Sequence, residues 1–151
     1  MEQTAIALNE KLNAKGGRAF VSVNKALVTQ SSSAIPVVPL YISALYKVMK
    51  EKELHENCIQ QMYRLFSDHL YNGGEAAADG SHLIRIDDWE MREDVQIEVM
   101  RRWNELETDN VPELADLEGY REDFFHLFGF QTEGVDYEAD TDPAVEIPNQ
   151  V

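Results

Sequence analysis

Only one cysteine, Cys58, is present, so no disulfide can close within the chain, and a reducing compartment, the cytoplasm, suits it. Long apolar runs are missing as well. The longest mostly apolar stretch, AIPVVPLYISALY, is too short to cross a bilayer and carries Pro36 and Pro39. The N-terminus has neither the basic start nor the apolar core of a secretion signal. Cations are scarce: 13 lysines and arginines stand against 28 acidic residues, a net charge of -15. Such a surface repels phosphate backbones and anionic lipid, which excludes nucleic acid and membrane as partners. Glycine is limited to 8 residues, and the phosphate fingerprint G-x-G-x-x-G does not occur. A dinucleotide would therefore need its main phosphate loop from other residues. No repeat of solenoid period is visible.

What is present is a chain of 151 residues, 44% hydrophobic, enough for one domain with a core. Ala5, Leu8 and Leu12 recur at helical spacing, and Gly16 and Gly17 give a helix stop. The run RAFVSVNKALV is rich in Val and reads as one long strand. Residues 55–71 read as a helix with Ile59, Met62, Tyr63, Phe66 and Leu70 as its apolar stripe. HLIRI reads as a short extended piece. A further helix, capped by Asp87 or Asp88, should run to about Leu106 with Val95, Val99 and Trp103 on one face. A last helix is expected from Pro112 to about Phe128, followed by an irregular acidic tail. The long strand has little to pair with, and backbone groups cannot stay buried and unpaired. Its partners must come from a second copy or from protein outside these residues.

Several groups bear on chemistry. In open α/β sheets ligands bind beyond the carboxyl ends of strands. Here that place holds Thr29, Gln30, Ser31, Ser32 and Ser33 ahead of a helix, a set of hydroxyls, an amide and backbone N–H groups suited to a carboxamide or a pyrophosphate. An ordinary polar connector has the same composition. Tyr46 and Lys50 share a helix face, where a lysine can lower a tyrosine's pKa and make it a proton donor. Tyr41 and Lys50 have the longer spacing used by some enoyl reductases, but two and a half helical turns put them on opposite sides. A tyrosine at the rim of an apolar stripe beside a solvated lysine is the commoner meaning of either pair. His55 and Cys58 can share a helix face, yet no matching ligand pair accompanies them, so no metal site is expected. Asp136, Glu138, Asp140 and Asp142 begin like a calcium loop, but Thr141 replaces the turn glycine and Ile147 the bidentate glutamate.

The stretches GGRAFVSVNKALVTQSSSAIPVVPLYISALYKVMKEKELHENCIQQMYRLF and GYREDFFHLFGFQTEGVDYEADTDP closely resemble the C-terminal part of the single-chain trans-2-enoyl-CoA/acyl-carrier-protein reductases. The resemblance implies an enlarged, Rossmann-like α/β parent related to short-chain dehydrogenases, of which this chain is a mostly helical portion with one long strand. It implies NADH as cofactor, enoyl-CoA or enoyl-acyl-carrier-protein as substrate, and fatty acid biosynthesis as the setting. The family's Y-x8-K tyrosine assists at the thioester carbonyl. That motif and the glycine-rich cofactor loop fall before Met1, so the resemblance assigns no catalytic residue here. Tyr41, Tyr46 and Lys50 match the helix after the cofactor loop instead. The matching cofactor positions are Leu27, Val28, Thr29 and Gln30, near the nicotinamide and its carboxamide.

These readings divide the chain into the end of a nucleotide-binding domain (1–36), a helical substrate-covering region (37–128) and an acidic tail (129–151). The expectation is a reductase portion inactive by itself and prone to self-association. The rival expectation is a stand-alone acidic helical module that binds a protein and catalyses nothing.

Overall fold

The computed structural model describes residues 1–142 and residue 144. Its elements are helices α1 (Glu2–Asn13), α2 (Gln30–Ala34), α3 (Val38–Glu51), α4 (Cys58–Arg64), α5 (Glu93–Glu105), α6 (Val111–Leu114) and α7 (Leu117–His126), with strands β1 (Val21–Val23) and β2 (Leu83–Arg85). A π-helical turn, Leu65–Leu70, extends α4. The architecture is mostly helical with a small parallel sheet, in which Val21, Ser22 and Val23 face Leu83, Ile84 and Arg85.

Helix α3 is the centre. Ile42, Ala44, Leu45, Tyr46, Val48 and Met49 are all buried, leaving no solvent face along most of its length, as expected for a helix apolar all round. Leu45, Val48 and Met49 pack on Val95 and Val99 of α5. Ile42 and Tyr46 pack on Val28, with Tyr120 and Phe124 of α7 behind them. Each fully buried aliphatic side chain contributes roughly 1.5–3 kcal/mol, so this helix carries much of the fold. Leu65, Ile84 and Ile86 form a third cluster, which anchors the sheet to the end of α4. Helix α1 is peripheral, with Ala5 its one buried residue and Leu8 47% exposed. It ends where Gly16, at φ 75°, turns the chain and Gly17 N–H donates back to Leu12 O.

Four expectations need correction. The long strand shrinks to three residues and has a partner on one edge, β2, supplied by the piece read as HLIRI. Beyond Val23 no strand continues, and side chains capture backbone donors: Gln61 Oε1 accepts from Lys25 N–H at 3.0 Å, and Glu90 Oε2 from Ala26 N–H at 2.7 Å. The stripe expected along 55–71 is split: Met62 and Leu70 pack on the Leu65, Ile84 and Ile86 cluster, but its other members face outward. Ile59 and Tyr63 are 75% and 74% exposed, while Gln61, Arg64 and Leu65 are buried. Helix α5 begins at Glu93, not at Asp87 or Asp88. Asp87 holds Arg85 and Asp88 holds Arg64. The last helix is broken in two at Ala115 and Asp116, because Asp116 Oδ1 caps α7 by accepting from Gly119 N–H at 3.0 Å.

Candidate functional site

Of the residues singled out beyond β1, Leu27, Val28 and Thr29 line a cleft, whereas Gln30, Ser31, Ser32 and Ser33 do not. Val28 is buried against α3, which fixes the backbone of Leu27 and Thr29 at the surface above it. Thr29 caps α2: its Oγ1 accepts from Ser32 N–H at 3.0 Å, and its own N–H donates to Ser32 Oγ at 2.8 Å. This reciprocal box occupies the hydroxyls of Thr29 and Ser32 locally and sets the exit angle of the chain. Ser33 Oγ donates to Gln30 O at 2.7 Å, so it too is used within the turn. The serine-rich segment is thus a short helix rather than an open connector, and Gln30 and Ser31 remain exposed on it.

The cleft has a volume of about 410 Å³ and is lined by Leu27, Val28, Thr29, Asn57, Cys58, Ile59, Asp123, His126 and Leu127. Three elements converge: the end of the extended segment, the start of α4 and the end of α7. Asn57 caps α4 through its Oδ1, which accepts from Gln60 N–H at 2.9 Å. No lysine or arginine lines this cleft, and Asp123 adds a carboxylate. It therefore suits a neutral amide-bearing group and repels phosphate.

Tyr46 and Lys50 do lie on one side of α3, but not as an acid with its lysine. Lys50 Nζ stands 5.9 Å from the centre of the Tyr46 ring and is held by Asp116 Oδ2 at 2.6 Å. Tyr46 is 1% exposed. Its hydroxyl has no hydrogen-bond partner among the described residues. Burial first, and the Asp123 carboxylate second, push its pKa up rather than down. Tyr41 points elsewhere, donating to Glu90 Oε1 at 2.9 Å, with its pKa raised to about 12 by burial and by that carboxylate. Neither tyrosine is prepared to give up a proton near neutrality.

His55 packs edge-on against Tyr46 at 4.5 Å, and burial together with the Lys25 and Lys50 cations lowers its pKa to about 4. Cys58 is exposed in the first turn of α4. Among the described residues no cluster of three His, Cys, Asp or Glu side chains could hold a metal. Asp136 and Asp142 accept from the backbone N–H groups of Glu138 and Ala144, ordinary turn contacts. Ile147, the last position of the calcium comparison, lies outside the described residues.

A second cleft, of about 520 Å³, lies between His55, Glu56, Tyr63, Arg64 and Trp89. Its arginine is not free for a ligand. Arg64 binds Glu56 through Nε and a terminal nitrogen, donates to Ile86 O at 2.6 Å and to Asp88 at 2.8 Å, and lies 4.3 Å over Trp89. It is a clamp joining α4 to the segment that follows β2.

Sequence reading missed Lys25, Gln61, Glu90 and Asp123. Lys25 carried one usable signal, a charge inside an otherwise apolar run. Gln61 and Asp123 carried none, since their roles depend on neighbours brought up from distant elements.

Nearly the whole chain is similar to known proteins. Residues 1–71 match the family described as the trans-2-enoyl-CoA reductase catalytic region, and residues 78–141 match the enoyl reductase FAD binding domain. The enoyl-[acyl-carrier-protein] reductase [NADH] of Flavobacterium johnsoniae is 59% identical over 147 residues, covering 97% of this chain and 37% of that protein. The trans-2-enoyl-CoA reductase [NADH] of Ruminiclostridium cellulolyticum is 57% identical over the same length, with the same coverage. Among solved structures, the Clostridium acetobutulicum trans-2-enoyl-CoA reductase in complex with NAD superposes with a TM-score of 0.87 at 52% identity, over 93% of this chain and 37% of that one. The Treponema denticola trans-2-enoyl-CoA reductase in complex with NAD gives 0.84 at 49% identity, over 93% and 35%. The chain spans little more than a third of the length of these relatives.

Proposed function

We propose, from the premise that this chain belongs to the trans-2-enoyl-CoA reductase family, that it forms part of an NADH-dependent reductase of 2-enoyl thioesters and supplies the wall of its cofactor site. In that reading Leu27, Val28, Thr29 and Gln30 receive the carboxamide end of the cofactor. The observation that carries it is the cleft at Leu27, Val28 and Thr29, lined by no lysine or arginine, whose single carboxylate, Asp123, can accept from an amide and disfavours a pyrophosphate. NADH, when bound, supplies the hydride. The residues of this chain bind and orient: Val28 is buttressed by Ile42 and Tyr46, and the Thr29–Ser32 box holds the loop in one conformation. The proton-donating tyrosine and its lysine belong to the portion of the family that precedes these residues, and the chain alone is inactive. The parallel β1–β2 pair supports a Rossmann-like parent sheet.

A flavin does not fit as well. Within residues 78–141 Arg85, Arg92, Arg101 and Arg102 each bind neighbouring carboxylates, and no glycine-rich cradle is present. Of the arginines there only Arg121, which lies over the Phe125 ring, has no carboxylate partner among the described residues, too little to hold a dinucleotide's phosphates, and no step is assigned to one. No described helix is long and apolar enough to cross a membrane.

Self-association belongs to the same reading. Ile59, Tyr63 and Phe66 form an exposed apolar row along α4, and such a row calls for a cover.

The test is Thr29→Trp in a reductase of full family length carrying this sequence, with Thr29→Ser as control. The indole fills the cleft and removes the cap, so the KM for NADH should rise at least about tenfold, equivalent to roughly 1.4 kcal/mol. The serine variant should match the wild type. An unchanged KM in Thr29→Trp would refute the assignment of the loop.

A further inference from the structure

Tyr46 is fixed by its surroundings more tightly than a core tyrosine needs. Lys25 Nζ stands 4.6 Å from its ring centre, Lys50 Nζ 5.9 Å, and His55 meets it edge-on. The ring shares one packed cluster with Val28 of the loop, and Tyr120 and Phe124 of α7 close that cluster. Its hydroxyl is buried and has no hydrogen-bond partner among the described residues. The polar groups beside it include the Asp123 carboxylate and the Val28 backbone. Those same two residues line the cleft from different elements, the segment before α2 and helix α7. A buried hydroxyl left unpaired is costly, and native proteins pair such groups directly or through one ordered water.

We propose that Tyr46 is a positioning residue for the cofactor site: its hydroxyl ties the Val28 backbone to the Asp123 carboxylate and so sets the spacing of the two walls. This rests on the assignment of residues 27–30 to the cofactor. A phenol can donate to a carboxylate and accept from a backbone N–H at the same time, so one group can serve both walls. Lys25 completes the arrangement. Its ammonium attracts Asp123, which keeps a carboxylate tolerable at the edge of an acidic protein's core. Tyr46 thus acts through the loop and through Asp123 and touches no reacting atom.

The experiment is a double-mutant cycle in the full-length reductase, with Tyr46→Phe, Asp123→Asn and the pair. Phenylalanine keeps the ring and its packing, so the melting temperature should fall by no more than about 4 °C, as loss of one hydrogen bond requires. NADH affinity, followed by the cofactor's fluorescence, should fall about fivefold in either single variant, as loss of a bond worth roughly 1 kcal/mol requires. KM for NADH should rise in step while kcat stays within about twofold, a split that general loosening of the core would not produce. The double variant should be no worse than the worse single, since both remove one tie. An unchanged affinity in Tyr46→Phe, or additive losses in the pair, overturns the proposal. Asp123→Asn, at the cleft wall, decides the matter alone if Tyr46→Phe fails to fold. Should Thr29→Trp lower affinity while Tyr46→Phe and Asp123→Asn do not, only the tie fails; silence in Thr29→Trp removes the loop assignment itself.

Discussion

Replacing Lys25 by methionine should make the protein more stable, and by an amount that depends on pH. Lys25 is 2% exposed, and its ammonium donates one hydrogen bond, to Ala26 O at 3.2 Å. Burial pulls its pKa from 10.5 to about 8, overcoming the attraction of Glu90, Asp123 and Glu56. Below pH 8 the folded chain therefore carries a cation it disfavours, a penalty of about 3 kcal/mol at roughly 1.4 kcal/mol per pKa unit. Between pH 8 and 10.5 the unfolded chain binds more protons at this residue than the folded one, so its contribution to stability rises with pH. Lys25→Met keeps most of the side-chain volume and removes the charge. Urea unfolding followed by circular dichroism should show the variant about 2–3 kcal/mol more stable at pH 7, with less than half of that difference left at pH 9.5. The second pH stays below the ordinary range of tyrosine, so Tyr41 and Tyr46 do not confuse the comparison. A variant less stable than the wild type at pH 7 would refute the reasoning and make Lys25 a net favourable counter-ion of Glu90 and Asp123.

Arg64→Leu should cost about 3–5 kcal/mol in the same unfolding assay, because Glu56, 6% exposed, is left buried without its partner. A loss below about 1 kcal/mol would show that Glu56 finds water or neutralises itself. Asp116→Ala should cost about 1–2 kcal/mol and Lys50→Ala less than about 1, since the aspartate caps α7 while the exposed lysine only pairs with it. Equal losses in the two variants would deny the cap.

Much of the scaffold was legible locally. Helix α3 announces itself by apolar residues on every side after Pro39, and α1 by its glycine stop. The start of α2 was legible in part, because a run of hydroxyl residues follows a β-like run ahead of a helix; the Thr29–Ser32 box itself was not read. The failures share a cause. On α4 the apolar residues Ile59, Tyr63 and Phe66 face outward, and the inner face carries Gln61 and Arg64. Gln61 Oε1 accepts from Lys25 N–H, and Arg64 donates to Glu56 and Ile86 O; no periodicity reveals partners that arrive from other elements. The long strand failed similarly, since valines favour an extended backbone but Glu90 and Gln61, not a neighbouring strand, take up the donors after Val23. Asp123 reads as one acid among many until α7 docks on α3 and brings it to the loop.

The central claim, that this chain holds a wall of the cofactor site but not the proton-donating pair, is tested most directly by the oxidation of NADH with crotonyl-CoA, a 2-enoyl thioester, by the 151-residue chain and by its Lys50→Ala variant. The account predicts no turnover in either, because Tyr46 is buried with a raised pKa and Lys50 is committed to Asp116. Turnover that disappears in the Lys50 variant would contradict it and make Tyr46 and Lys50 the active pair.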